Sequence, residues 1–266
     1  MNQNLYQIAA DLQKREERFA ICTIISAQGS TPRHVGSKML LGENGEFFGT
    51  VGGGELEHRV LDEARLAIED GIPRKLSYSM TDPERGDPGV CGGQLEVFVE
   101  PYVPAPKIII IGGGHVGKAV AHLAKWLGFR VAISDDRPEY CTPEMNPDAD
   151  EFFPVEMAEL PQHVAINRQT YLVLTTRGTA TDIPGLPVLL GTRAAYIGII
   201  GSKRRWLTTV EGLKKQGVSE DAIARIHSPM GLELNAETPE EIAVSIMAEI
   251  MMLRNRTTGK PMQLKP

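Results

Sequence analysis

The apolar positions change their rhythm once along the chain. From about residue 3 to 18 they recur at helical spacing within a polar stretch, and "AICTIIS" (20 to 26) then reads as a strand. A glycine-punctuated loop, "AQGSTPRHVGSK", leads to two more strands, "KMLLG" and "EFFGTV", split by the turn "ENGE". Glycines 52 to 54 open a helix whose apolar residues Leu56, Val60, Leu61, Ala64, Ala67 and Ile68 share one face. A strand near "KLSYSM", a loop and the strand "LEVFVE" complete a small α+β domain.

The second half alternates strand and helix. "KIIIIGGG" is a continuous apolar run meeting glycines, the signature of a parallel strand buried on both faces. The helical stretch "VGKAVAHLAKWLG" follows, then strands at "RVAISDD", "YLVLTT" (171 to 176) and "AAYIGIIG" (194 to 201). This is the rhythm of a Rossmann-like, doubly wound parallel sheet, so the fold class is α/β overall with an α+β domain in front. A final helix starts at an explicit signal: Thr238 as cap, Pro239 at the first position and Glu241 closing a capping box. Its stripe Ile242, Ile246, Ile250 and Leu253 is expected to face the core. Between the halves, "EPYVPAPK" (100 to 107) carries three prolines in six residues, which should stop regular structure. The predicted domains are therefore 1–103 and 107–266.

Composition narrows the functions. A net charge of -6 over 266 residues supplies no basic surface for nucleic acid. Three cysteines (Cys22, Cys91 and Cys141) make no disulfide framework, so a reducing, cytoplasmic setting is expected. The first residues lack the apolar core of a signal peptide, and the run "IIII" is too short to span a bilayer, so no membrane is predicted.

Candidate chemistry lies in glycine-rich stretches. Gly112, Gly114 and Gly117 form G-x-G-x-x-G between a strand and a helix, with Asp135 at the spacing of a ribose-binding acid. That pattern fits a pyrophosphate at a helix N-terminus, or else a tight turn without ligand. Arg137 is expected to meet a phosphate or to pair with Asp136. Gly52, Gly53 and Gly54 offer a second cradle, although Glu55 and Glu57 weigh against a bare phosphate there. The loop "QGSTPRHVGSKML" gathers Arg33, His34 and Lys38, a solvated surface or a set of donors to an acidic ligand. Cations in "GSKRR" stand at a helix start, where they oppose the dipole and hint at an anion between them. Cys91 sits in a turn between Pro88-Gly89 and Gly92-Gly93, small neighbours that leave room for a bulky planar guest. Cys22 reads as core and Cys141 as exposed, while His122 and His163 read as structural. The six histidines form no zinc motif.

Seven segments in order, "GSTPRHVGSKML", "GTVGGGELE", "CGGQLEVFVEP", "GGGHVG", "DDRPE", "YIGIIGSKRR" and "SPMGLELNAETPEEIAVSIMAEI", resemble the XdhC/CoxI family. These are accessory proteins of molybdenum hydroxylases such as xanthine dehydrogenase. The resemblance implies a molybdenum cofactor chaperone and not a catalyst. Its cargo is molybdopterin or the cytosine dinucleotide form, protected, sulfurated with a cysteine desulfurase as partner, and inserted into the apo-hydroxylase. It also implies a homodimer, with Cys91 as the cofactor-associated and metal-binding cysteine. Members commonly carry a histidine where "TRGTATD" has Thr179, while Asp182 remains. Two other readings stay open: an NAD(P)-dependent oxidoreductase built on Gly112, Gly114, Gly117 and Asp135, and a scaffold whose Rossmann-like half binds nothing.

Overall fold

The computed structural model describes residues 4–80 and 92–263. The chain forms two compact units, Met1–Pro104 and Ala105–Pro266.

In the first unit, α1 (Leu5–Lys14) precedes β1 (Phe19–Gln28), β2 (Lys38–Gly42) and β3 (Phe47–Gly49). Then come α2 (Gly54–Asp70), β4 (Arg74–Ser79) and β5 (Gln94–Tyr102). All pairings are antiparallel, in the order β3-β2-β1-β5-β4. Strand alternation divides the faces. Ala20, Cys22 and Ile24 of β1 pack with Met39 and Leu41 against Leu56, Val60, Leu61, Ala64, Ala67 and Ile68 of α2. Phe19 and Leu40 point the other way and meet Ala9, Leu5, Ile8 and Leu12 of α1. The helix expected over 3 to 18 ends at Lys14, because Glu16 takes a left-handed φ of 56° that turns the chain toward β1.

The prolines also act later than their positions suggest. β5 runs through Pro101 to Tyr102, pairing Pro101 with Ala20. β4 stops opposite Val99, so Pro101 lies beyond the last β4 partner and its missing N–H costs no ladder bond on that side.

The second unit contains β6 (Lys107–Ile111), α3 (His115–Trp126), β7 (Arg130–Ser134), β8 (Glu151–Phe153), α4 (Leu160–His163) and β9 (Thr170–Leu174). It continues with α5 (Thr179–Leu190), β10 (Tyr196–Ile199), α6 (Lys203–Lys215), α7 (Glu220–Ile223), β11 (Ile226–His227) and α8 (Pro239–Arg254). Every strand pair is parallel, in the order β11-β10-β9-β6-β7-β8. β6 is central and buried on both faces. Ile108 and Ile110 pack toward α3 and α8, whereas Ile109 and Ile111 pack toward Leu186 and Leu189 of α5 and Leu213 of α6. The strand order reverses between β6 and β9, which is where ligands settle in open α/β sheets.

Two expectations about α8 and Cys141 are corrected. The capping box at Thr238 and Glu241 forms, but the buried stripe of α8 is Ala243, Ile246, Met247 and Ile250, and Leu253 is exposed. Leu253 falls in the last turn of the helix, beyond Ile250, its last buried residue. Cys141 is buried, because the 3-10 turn Pro138–Tyr140 folds it back so that its thiol donates to Ile133 O at 3.3 Å.

Candidate functional site

In the first unit the structure brings three glycine segments to one place. β1 leaves the sheet at Gln28, and Gly29 turns with φ 72°. Gly93 lies so close that a methyl group there would come within 2.3 Å of Ser30 O and 2.7 Å of Gln28 O. Gly92 has φ 80°, its N–H donates to Met80 O at 2.7 Å, and Met80 N–H donates to Gly93 O at 2.9 Å. Gly52, with φ 145°, packs on Pro32: a methyl there would stand 2.7 Å from the proline Cγ. Gly52 meets both demands, the backbone conformation and the close approach, while Gly92 answers the first and Gly93 the second. Beside this junction opens a cavity of about 540 Å³ lined by Ala27, Gly29, Ser30, Thr31, His34 and Val35. Cys91, the residue before Gly92, lies outside the described residues.

The cradle at Gly52, Gly53 and Gly54 is filled from within. Glu57, in the first turn of α2, accepts hydrogen bonds from Val51 N–H at 3.2 Å, Gly53 N–H at 3.4 Å and the Thr50 hydroxyl. Its carboxylate satisfies amides that an open helix N-terminus would offer to a ligand. Glu55 is turned to Arg59 instead, at 2.8 Å. Of the cations expected nearby, Arg33 and His34 are exposed in the loop. Lys38 donates to the Thr23 hydroxyl at 2.8 Å.

In the second unit each glycine of "GGGHVG" has its own reason. Gly112 adopts φ 114° and abuts Thr175 O, and a methyl at Gly117 would lie 2.0 Å from Gly112 O. A methyl at Gly113 would meet Tyr140 O at 2.2 Å. Gly114, the N-cap of α3, differs: its φ is -73° and nothing lies within 4 Å of where a side chain would begin.

Asp135 serves this loop. Its Oδ2 accepts from Gly113 N–H at 2.9 Å and from the Arg137 guanidinium at 3.0 Å, while Oδ1 accepts from Arg137 N–H and Nε, both at 3.0 Å. Burial would raise its pKa, but the bonds from Arg137 and the Gly113 amide prevail and hold it below the usual carboxylate range. Arg137 thus pairs with Asp135, not with Asp136. Asp136 reaches across to Arg177 at 2.5 Å. The crowding of Arg137 against Asp135 is reinforced by its stacking over the Tyr140 ring, 3.8 Å from the centroid.

Two polar clusters escape a reading by motif. Asp182 of α5, fully buried, accepts from Thr176 and from Arg205 of α6 (Nη2 at 2.7 Å, Nε at 3.0 Å). The anion expected beside the cations of "GSKRR" is thus a residue of the chain itself. Glu249 of α8 accepts from Tyr196 OH at 2.6 Å and Gly231 N–H at 2.7 Å and pairs with His227 Nδ1 at 3.0 Å. Gly198 makes this cluster possible, since a methyl there would strike the Tyr196 hydroxyl at 2.4 Å. Neither cluster has a fixed spacing in sequence: the partners are 6 to 53 residues apart. The signal for Glu249 is a carboxylate on a largely apolar helix, and Asp182 adds to that the cations of "GSKRR".

Among the described residues no group of three or more histidine, cysteine or acidic side chains is arranged to hold a metal ion. No helix there is long and apolar enough to cross a membrane.

Family comparison follows the division of the chain. The XdhC Rossmann domain matches residues 108–250, and the XdhC and CoxI family matches residues 12–79. The chain belongs to the XdhC and CoxI family. Among its relatives, the Uncharacterized protein YqeB of Escherichia coli (strain K12) is 33% identical over 268 residues, covering 99% of this chain and 48% of that protein. A probable xanthine dehydrogenase subunit of Bacillus subtilis (strain 168) is 31% identical over 160 residues, 60% of this chain and 46% of that one. The chain spans about half the length of these two relatives. The molybdenum cofactor insertion chaperone PaoD of Escherichia coli (strain K12) is 21% identical over 284 residues, 88% of this chain and 83% of PaoD. Among solved structures, a xanthine dehydrogenase from Bacillus halodurans matches with a TM-score of 0.52 at 23% identity, covering 96% of this chain and 97% of that one. At that identity the likeness concerns the fold.

Proposed function

We propose that this family member is a molybdenum cofactor chaperone: it holds the cofactor, supports its sulfuration and inserts it into a xanthine dehydrogenase-type apo-enzyme. The observation that carries the reading is the convergence of the 28–33, 52–54 and 92–93 segments beside an open cavity of about 540 Å³, next in sequence to Cys91. That volume is within the usual range for small-molecule and cofactor sites, about 300–1,000 Å³. Molybdenum is thiophilic, so a single cysteine thiolate suits a carrier that must also let go. The name of PaoD supports the same cargo, and it is the name of a chaperone, not of a catalyst. In this reading residues 1–103 handle the cargo and 107–266 form the Rossmann-like domain. The protein works in the cytoplasm as a homodimer, with a cysteine desulfurase as partner. Both cargo forms, molybdopterin and its cytosine dinucleotide, fit the proposal.

The test is the cargo itself. Protein purified anaerobically from a cofactor-making host should carry molybdenum and pterin, and Cys91→Ser should lose both while keeping its circular dichroism and melting temperature. Cys22→Ser and Cys141→Ser should retain cofactor in proportion to folded protein. A Cys91→Ser protein that holds cofactor as the parent does, and still activates the hydroxylase, would overturn the assignment.

A further inference from the structure

We infer that the crevice at the C-terminal ends of β6, β7 and β9 is a ribonucleotide site, in which Asp136, and not Asp135, takes the ribose hydroxyls while Arg177 takes the diphosphate. The inference is independent of the cargo reading. The crevice lies where the strand order reverses, and Ile111, Gly112, Asp136, Thr176, Arg177 and Thr181 are among its walls. Sequence spacing points to Asp135 as the ribose acid. Its four accepted hydrogen bonds fill the capacity of a carboxylate, and it is only 4% exposed. It is a strut of the glycine loop.

Asp136 is placed differently. Among the described residues its recorded partner is Arg177, through one oxygen, and both side chains reach solvent, 35% and 54% exposed. An ion pair this open contributes little to stability, so it can exchange for a ligand. The pair spans from the end of β7 to the end of β9, across the mouth of the crevice, and leaves a cavity of only about 20 Å³ beneath it. Parting the two presents a free carboxylate on one bank and a free guanidinium on the other. Those are the acceptor for a vicinal diol and the donor fork for a phosphate.

A second observation points to an occupant. Ser134, the last residue of β7, is fully buried, and its hydroxyl has no hydrogen-bond partner among the described residues. It stands in register with Ile111, so its side chain shares the face on which Ile111 lines the crevice. A buried hydroxyl without a partner is costly and calls for one. The hinge of the latch is firm: Thr176, next to Arg177, is fixed through its carbonyl and hydroxyl by Arg205, at 3.0 and 2.6 Å. Opening is therefore a side-chain motion of Arg177 and needs no shift of β9.

The shared chemistry, a ribose diol joined to a diphosphate, occurs in free nucleotides and in the tail of a cytosine dinucleotide cargo. Calorimetry with the full chain should use ADP, CDP and NADH, each nucleoside diphosphate also as its 2′,3′-dideoxy analogue. The parent is expected to bind at least one ribonucleotide and to prefer it to the dideoxy form by about tenfold or more. Asp136→Asn should abolish that preference, and Arg177→Met should weaken both forms alike. A preference for CDP assigns the site to the cargo tail, and one for ADP or NADH to a free nucleotide. No binding of any probe at millimolar concentration, or a ribose preference that survives Asp136→Asn, would overturn the inference.

Discussion

The buried Arg205–Asp182 pair makes the most exacting test of how the second unit is held together. Arg205 donates four hydrogen bonds, two to Asp182 and two to Thr176, and thereby ties α6 to the N-terminal turn of α5 and the end of β9. Arg205→Met keeps length and apolar volume but leaves a fully buried carboxylate with the Thr176 hydroxyl as its remaining recorded partner. Breaking a buried pair from one side costs about 3–5 kcal/mol. At roughly 2–4 °C per kcal/mol for a chain of this size, the melting temperature should fall by about 6–20 °C. Asp182→Asn strands the guanidinium less severely, since Arg205 is partly exposed at its own end, and should cost less. Removing both partners should cost less than the sum of the single changes, with a coupling of about 1–3 kcal/mol. Urea denaturation followed by fluorescence suits the measurement, because Trp206 neighbours Arg205 and packs against the α5–α6 side of the core. An Arg205→Met midpoint indistinguishable from the parent, or strictly additive changes, would refute the account.

The glycine loop of the second unit should be unequal in its tolerance: Gly117→Ala drives a methyl into Gly112 O and should cost about 2 kcal/mol or more, whereas Gly114→Ala meets open space and should change stability by less than about 0.5 kcal/mol, both measured by urea midpoint. Asp135, held below the usual carboxylate range, favours the folded state above about pH 4 and loses that contribution as pH falls through its folded value, so Asp135→Asn should flatten the acid limb of the stability–pH curve. Burial pushes the Cys22 thiol up to about 12 from an ordinary 9.0, so the unfolded chain ionises first and stability should decline between about pH 9 and 12; a Cys22→Ala variant should lack that decline, and Cys22 should resist iodoacetamide at pH 8 while the protein stays folded.

What was legible in the sequence was whatever a local pattern encodes. The run Ile108 to Ile111, the α2 stripe from Leu56 to Ile68 and the Thr238–Glu241 box are each set by neighbours within one or two turns, and the structure shows them in place. α5 is not legible in this way, since Pro184 and Pro187 stand inside it, and what holds it is its packing through Leu186 and Leu189 and the Asp182–Arg205 tie. Arg137 was expected to meet a phosphate or Asp136 and pairs with Asp135 instead, because adjacent acids differ in a fold only by the direction their side chains take. Cys141 looked exposed for the same reason: its burial depends on a turn returning to β7, not on its own neighbours. The candidate site was legible as glycines, whose purposes the structure separates. Gly93 and Gly52 make room for other parts of the chain, whereas Gly114 makes room for nothing within it.

Glu57 has a consequence for timing. Gly52, Gly53 and Gly54 all hold positive φ, and fixing three such flexible residues takes on the order of 3–6 kcal/mol of conformational entropy. Because the Glu57 carboxylate gathers Val51 and Gly53 from inside, that ordering accompanies the folding of α2 and does not wait for a visitor. A molecule arriving at this edge of the sheet meets a finished wall. Its affinity need not cover the stiffening of the loop, and its arrival rate is set by diffusion and orientation instead of by a rare loop conformation. Under the proposed chaperone function, such a rigid wall gives quick capture of a guest without a tightening grip to undo at release.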